Sequence, residues 1–203
     1  MVVNATTLAR VKAHSGDTAT GNDALLTTLI DQVSRDIEKF LGYELEQKSR
    51  VEIRSPDVNQ RIVHLRHRPV VSVTQVRVAA EGSWNFAAFQ VLTANADYRL
   101  SGDSIYFFGG LIWGRDTLEI TYTAGLGAND AAVIAAAPEV ALAAELQTNE
   151  EFRRRTNPNT LSRPGPGGTK TYAAPHGMLP RVRELLFSRR RMAMAEGRMG
   201  AVR

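Results

Sequence analysis

The spacing of apolar residues changes period twice along this chain, and each change separates stretches that cannot share one kind of secondary structure. Between Asn22 and Gly42 the apolar positions are Leu25, Leu26, Leu29, Ile30, Val33, Ile37, Phe40 and Leu41. At helical spacing they fall on one broad face, so this segment is expected to be an amphipathic helix with a single buried side. Asn22 stands as its N-cap, Asp23 puts an acid where the helix dipole favours one, and Gly42 supplies the left-handed residue that ends it. Ahead of it, Thr6 or Thr7 is expected to cap a short helix through about Ala13, followed by a loop over His14–Gly21.

From Glu46 to Thr123 the period shortens to that of β-strands. Val51 and Ile53 alternate with charged neighbours, Ile62–Leu65 follows, and Pro69 opens the valine-rich run Val70–Ala79. That run changes phase near Gln75, which predicts a bulge or burial on both faces. Asp97–Leu100 and Ser104–Phe108 flank Ser101-Gly102-Asp103 as a hairpin would, with the turn type left open. In Asp116–Thr123 the alternation is regular, with Leu118, Ile120 and Tyr122 on one side and Thr117, Glu119, Thr121 and Thr123 on the other. A half-buried antiparallel sheet is the expected product.

Helical character returns at Pro138, a residue suited to a first turn because its missing N–H has no partner there. An alanine-rich helix is expected from Val140 to Arg155. The small side chains Ala131, Ala132, Ala135, Ala136, Ala137, Ala141, Ala143 and Ala144 either permit close approach of a neighbour or simply reflect helix propensity. Thr156–His176 holds four prolines and three glycines and is expected as a flexible or extended connector. Pro180 then starts a last helix whose narrow apolar stripe is Val182, Leu185 and Leu186. It is too short to stand alone and calls for a docking partner.

Charge is distributed as unevenly as period. Residues 1–152 carry 13 basic against 19 acidic side chains, a net of −6, and residues 153–203 carry 12 against 2, a net of +10, which together give the formal +4. Such a tail on an acidic body seeks a negative surface, either nucleic acid or an acidic protein face, unless it is merely a solvated tail kept for solubility. A length of 203 residues suits one domain or a domain with an embedded subdomain. No apolar run approaches the ~20 residues of a membrane span, so no membrane role is expected. The start of the chain lacks a basic stretch followed by an apolar one, and no secretory signal is expected. Cysteine is absent, which excludes disulfides, thiolate nucleophiles and zinc–thiolate sites and is compatible with a reducing compartment.

Residues that carry chemistry do not converge. His64 and His67 stand three apart in a strand or its end and point to opposite faces, so no metal site is expected. Gly165-Pro166-Gly167-Gly168-Thr169-Lys170-Thr171 has the glycines of a phosphate loop, but Thr169 separates the last glycine from the lysine and the setting is a proline-rich linker. Asp31, Asp36 and Glu38 lie mostly on the solvated face of their helix, and no serine sits in a nucleophile elbow. The aromatics Trp84, Phe86, Phe89, Tyr106, Phe107, Phe108 and Trp113 cluster in the β zone without interleaved cations, which points to core packing or a subunit contact more than to base stacking. The expectation is a protein that binds or builds, not an enzyme, with no cofactor.

In this order the segments resemble a known family. Thr7-Leu8-Ala9-Arg10-Val11-Lys12 precedes a loop, and Asn22-Asp23-Ala24-Leu25-Leu26 opens a helix that ends Ile37-Glu38-Lys39-Phe40-Leu41-Gly42. Leu65-Arg66-His67-Arg68-Pro69-Val70-Val71-Ser72-Val73 is similar to a Pro-Val-Val-x-Val segment. Thr121-Tyr122-Thr123-Ala124-Gly125 closes the β zone, Pro138-Glu139-Val140 starts a helix, and Leu179-Pro180 with Val182 and Leu185 leads the last one. The chain thereby resembles the head-to-tail adaptors (connector or head completion proteins) of long-tailed bacteriophages and gene-transfer particles. The composition of the connector at Thr156–His176 departs from the family pattern.

That resemblance implies an α+β fold, a small helical bundle with an inserted antiparallel β subdomain and an extended C-terminal segment ending in a helix. The divisions would be 1–45 for the N-terminal bundle helices, 46–125 for the β subdomain, 126–155 for a bundle helix, 156–176 for the connector and 177–203 for a basic docking helix and tail. It also implies a virion protein at the head–tail junction, assembled in the host cytoplasm. It would self-associate as a ring, typically a dodecamer, beneath the portal protein. The ring would extend the DNA channel toward a tail-side neck or stopper protein, and packaged DNA would pass without sequence-specific binding. An acidic body suits a channel that must not grip phosphates. Portal binding would fall to Arg181, Val182, Arg183, Leu185, Leu186, Arg189, Arg190 and Arg191, the stripe buried on the partner and the arginines paired with acidic rim residues. Ring symmetry would multiply a modest contact into avidity. The competing reading is a nucleic-acid-binding protein that uses the Arg-rich tail.

Overall fold

The structure is a computed structural model and describes residues 3–79, 89–109, 111, 114–156, 162–165, 168–171 and 177–198. The architecture is α+β, with five helices and antiparallel sheets among the described residues. The chain divides into two units. One comprises Met1–Gly42 and Asn129–Arg190, and the other is built on Tyr43–Ala128.

The first unit holds helix α1 (Leu8–Ser15), α2 (Asp23–Leu41), α3 (Asp130–Ala136), α4 (Pro138–Thr156) and, through Arg190, α5 (Pro180–Arg198). The amphipathic face of α2 is buried at Leu26, Leu29, Ile30, Val33, Ile37 and Leu41, with Leu25 and Phe40 half-buried at its margins. Gly42 closes the helix at φ +80, its N–H bonded to the Glu38 carbonyl. Asn22 holds the cap position without a side-chain cap bond. Helix α1 runs two residues past Ala13, to Gly16 at φ +71. Thr7 is its N-cap by position only, and Thr6 is buried and donates instead to Glu145 Oε1 at 3.2 Å.

Helix α4 is the centre of this unit, touching α1, α2 and α3. Val140, Ala141, Ala143, Ala144, Glu145, Gln147, Thr148 and Asn149 are all buried. A helix enclosed on several sides cannot show a clear amphipathic stripe, which is why its sequence reads as propensity alone. The alanines divide accordingly: Ala137, Ala141, Ala143 and Ala144 are buried contact points, and Ala131, Ala135 and Ala136 are exposed. Asn129 caps α3 by accepting from Ala132 N at 2.9 Å, and the axis turns through 114° at Ala137 before α4 begins. Among the described residues no single helix is long and apolar enough to cross a membrane.

In the second unit, β1 (Lys48–Arg54), β3 (Val70–Ala79), β4 (Phe89–Leu92) and β7 (Leu118–Ala124) form a sheet in the order β1-β7-β3-β4. Strands β2 (Ile62–His64), β5 (Tyr98–Ser101) and β6 (Ser104–Phe107) form a second sheet, β2-β6-β5. Pairing within both is antiparallel. One core joins them, including Val63, Leu65, Val76, Ile105, Phe107, Leu118, Ile120 and Tyr122. Register shifts between Val70 and Ser72 and between Val73 and Gln75 account for the phase change in the valine-rich run. Ser101 pairs with Ser104, and Gly102 at φ +57 takes the first position of the two-residue loop, as a type II′ turn requires.

Strand β1 alternates in the phase opposite to its hydrophobicity. Val51 and Ile53 are 63% and 46% exposed, and Glu52 between them is 7% exposed. Glu52 is held inside by Tyr122 Oη, which donates to it at 2.7 Å, by Arg66 N at 3.2 Å and by an ion pair with Arg54. Gly125 closes this unit at φ +128, where an added Cβ would lie 2.2 Å from the Glu46 carbonyl oxygen.

Part of the connector forms a ladder. Ser162–Gly165 (β8) pairs with Gly168–Thr171 (β9), so the residues that imitate a phosphate loop run on into a strand and not into a helix N-terminus. Trp84, Phe86 and Trp113 lie outside the described residues.

Candidate docking surface

The eight C-terminal residues singled out in the sequence do not act as one patch. Val182 and Leu186 are fully buried and Leu185 is half-buried, so the apolar stripe of α5 is packed within its own unit. Arg189 is ion-paired with Glu139 in the first turn of α4 and also donates to the Ala136 carbonyl at 3.2 Å. The guanidinium of Arg190 lies 5.3 Å from the centroid of the Phe40 ring at the end of α2. Arg181 and Arg183 are exposed on the outer side of the helix, together with Glu184, Phe187 and Ser188. Arg191 belongs to the helix backbone, and its side chain lies outside the described residues.

The approach to α5 is fixed from α4. Gln147 Oε1 accepts from Leu179 N at 2.9 Å, and Gln147 Nε2 donates to the Glu151 carboxylate at 2.9 Å and to the Gly177 carbonyl at 3.4 Å. Leu179 in turn accepts from Arg183 N at 3.0 Å, giving the helix its first turn after Pro180. Sequence reasoning missed Gln147, Glu139 and Phe40. Glu139 carried a signal, an acid in the first turn of a helix; Gln147 carried none for this role, because the partners by which it holds the approach to α5 are backbone atoms some 30 residues away.

The N-terminal strap is built on the same helix. Glu145 is buried on α4 and accepts from Arg10 Nε at 2.6 Å as well as from Thr6. Asn4 N donates to Asp130 at 2.8 Å and Ala5 N to Ser34 Oγ at 3.0 Å. These bonds tie the N-terminal residues to α2, α3 and α4.

Nothing here converges as a reacting site would. Among the described residues no group of three His, Asp or Glu side chains is placed to hold a metal ion. His64 Nδ1 lies 2.7 Å from Ser104 Oγ, and His67 is 3.8 Å from Glu44, so the two histidines have separate partners. Burial first, and its bond to Glu52 second, push the Tyr122 hydroxyl up to about 12. Both effects serve the β core.

The model of a family described as "Head completion protein" matches residues 4–192. No curated protein matches the chain. Among solved structures, a chain from "Neck of empty GTA particle computed with C6 symmetry" is similar with a TM-score of 0.57 at 20% identity, covering 91% of this chain and 88% of that one. A chain from "Virion of native gene transfer agent (GTA) particle" has a TM-score of 0.55 at 19% identity, with the same coverage. A chain from "Neck of native GTA particle computed with C12 symmetry" has a TM-score of 0.53 at 20% identity, covering 93% of this chain and 94% of that one. At these identities the likeness shows the fold.

Proposed function

We propose that this chain, which belongs to the head completion protein family, is a structural head-to-tail adaptor of a phage-like particle. Copies assemble as a ring beneath the portal, extend the DNA channel and link the capsid to the tail-side neck. The observation that carries this reading is the family match over residues 4–192, which takes in both units and most of α5. Support comes from likeness to neck chains in particles treated with sixfold and twelvefold symmetry.

In this reading the helical unit is the portal-facing body and the unit on Tyr43–Ala128 is the inserted subdomain. Portal contact uses the outer face of α5, where Arg181 and Arg183 meet acidic groups, with Arg190 and Arg191 toward the tail. Val182, Leu185, Leu186 and Arg189 act at one remove, by holding the helix in its seat. Repetition around the ring turns weak arginine pairs into a stable joint. DNA passes through as cargo.

The test is capture of the full-length chain on portal rings, compared with Arg181→Glu/Arg183→Glu. Capture of the parent and at least tenfold weaker capture of the variant is the expected result. Equal capture of both would remove α5 from the contact. No capture of either, with salt-sensitive DNA binding instead, would replace this reading by the nucleic-acid one.

A further inference from the structure

The face of the four-stranded sheet that carries Val51 and Ile53 is exposed at its edges and buried at Glu119 in its middle, and the portal contact does not use it. Ile53 pairs with Glu119, Glu119 with Arg77, and Arg77 with Val91. One row therefore crosses all four strands, with an aliphatic side chain at each edge and an ion pair between them. Val91, at the β4 edge, is 55% exposed, comparable to Val51 and Ile53 at the β1 edge. The neighbouring row, Val51–Thr121–Gln75, carries no charge. The cations of β1, Lys48, Arg50 and Arg54, belong to the opposite face and are paired with Glu44, Glu46 or Glu52.

An edge strand that stays in water is usually guarded by charged side chains, pointing inward or outward, or by proline. Glu52 gives β1 an inward charge of this kind, and the outward side chains Val51 and Ile53 are left aliphatic. Among the described residues β1 and β4 each have a strand neighbour on one side only. Four antiparallel strands alternate in direction, so β1 and β4 run opposite ways. Copies that share one orientation about a ring axis can then set β4 of one beside β1 of the next and keep the antiparallel order. A cyclic assembly needs such a joint between two different patches of one chain. Nucleic acid would find no unpaired cation on either row.

We infer that these two edges are the halves of a copy-to-copy contact, with Val91 of one copy against Val51 and Ile53 of the next. The inference rests on the ring reading above and gives that ring an interface.

The chain has no cysteine, so introduced thiols report without background. Cross-strand neighbours bring Cβ atoms about 4.5–5.5 Å apart, close to disulfide range. The test oxidises full-length Ile53→Cys/Val91→Cys and Val51→Cys/Val91→Cys, free at high concentration and bound to portal rings, with each single variant as control. The expected result is a ladder of covalent multimers from at least one double variant, with single variants monomeric. A single variant that dimerises as well as the doubles would overturn the head-to-tail contact in favour of a two-fold one. Portal-bound protein without a ladder would overturn the contact and leave the adaptor reading standing. A ladder without portal capture would support the contact and remove portal binding. Neither capture nor ladder would remove both.

Discussion

Arg189 in α5 is ion-paired with Glu139 in the first turn of α4, fifty residues earlier in the chain. The pair ties the C-terminal helix to the central helix at a point where the acid also complements the α4 dipole. Both side chains are about one-third exposed, so the contribution is that of a partly screened pair. Arg189→Ala and Glu139→Ala are each expected to cost about 0.5–1.5 kcal/mol, and the double variant less than their sum. Thermal denaturation of the four proteins of the cycle measures this, and additive losses would show that the pair is incidental.

Leu186 tests the seat more severely. It is fully buried, and Leu186→Ala should destabilise the helical unit by about 2–4 kcal/mol. Arg181→Ala, at an exposed position one turn away, should change stability by less than about 0.5 kcal/mol. Urea unfolding separates the two. This asymmetry also means that truncation after residue 176 removes core along with the docking surface, so point variants on the outer face are the cleaner probe of portal binding.

Much of this organisation was legible in the residues. The period of α2, its glycine stop, the alternation of β7 and the bulged valine run are local signals, and each follows from burial of one face. The phase of β1 was not legible, because Glu52 is inside only where Tyr122 and Arg66 join its strand neighbour Arg54, and Tyr122 and Arg66 come from other parts of the chain. Nor was the seat of α5. The stripe Val182–Leu186 called for a partner, and the sequence could not say that the chain itself supplies one. The arginines of one basic run therefore differ in role: Arg189 is tied to Glu139, Arg190 is exposed beside the Phe40 ring, and Arg181 and Arg183 are exposed.

Tyr122 gives a pH signature for the β core. Its hydroxyl ionises at about 12 in the fold and near 10 in the unfolded chain. A raised folded value means that the unfolded state releases its proton first, so stability is intact below pH 10 and falls between pH 10 and 12, by about 2–3 kcal/mol. Tyr122→Phe should be less stable at neutral pH by about 1 kcal/mol, having lost the bond to Glu52, and should lack this component of the alkaline loss. Denaturant titrations of both proteins across that window would show it, and parallel pH profiles would contradict it.

Gly125 is a position of the β unit with no room for a side chain. Its left-handed φ and the approach of the Glu46 carbonyl both oppose a side chain, and Gly125→Ala should cost about 3 kcal/mol or more. Melting temperature reports the loss, and a variant as stable as the parent would show that the Glu46–Gln47 backbone yields freely.

The most direct measurement of the central claim is particle imaging of the full-length chain mixed with portal rings. The account predicts a second ring stacked coaxially on the portal, with α5 at the joint and Arg181 and Arg183 facing the portal. Bare portal rings at saturating chain, or bound chain without rotational order, would contradict it.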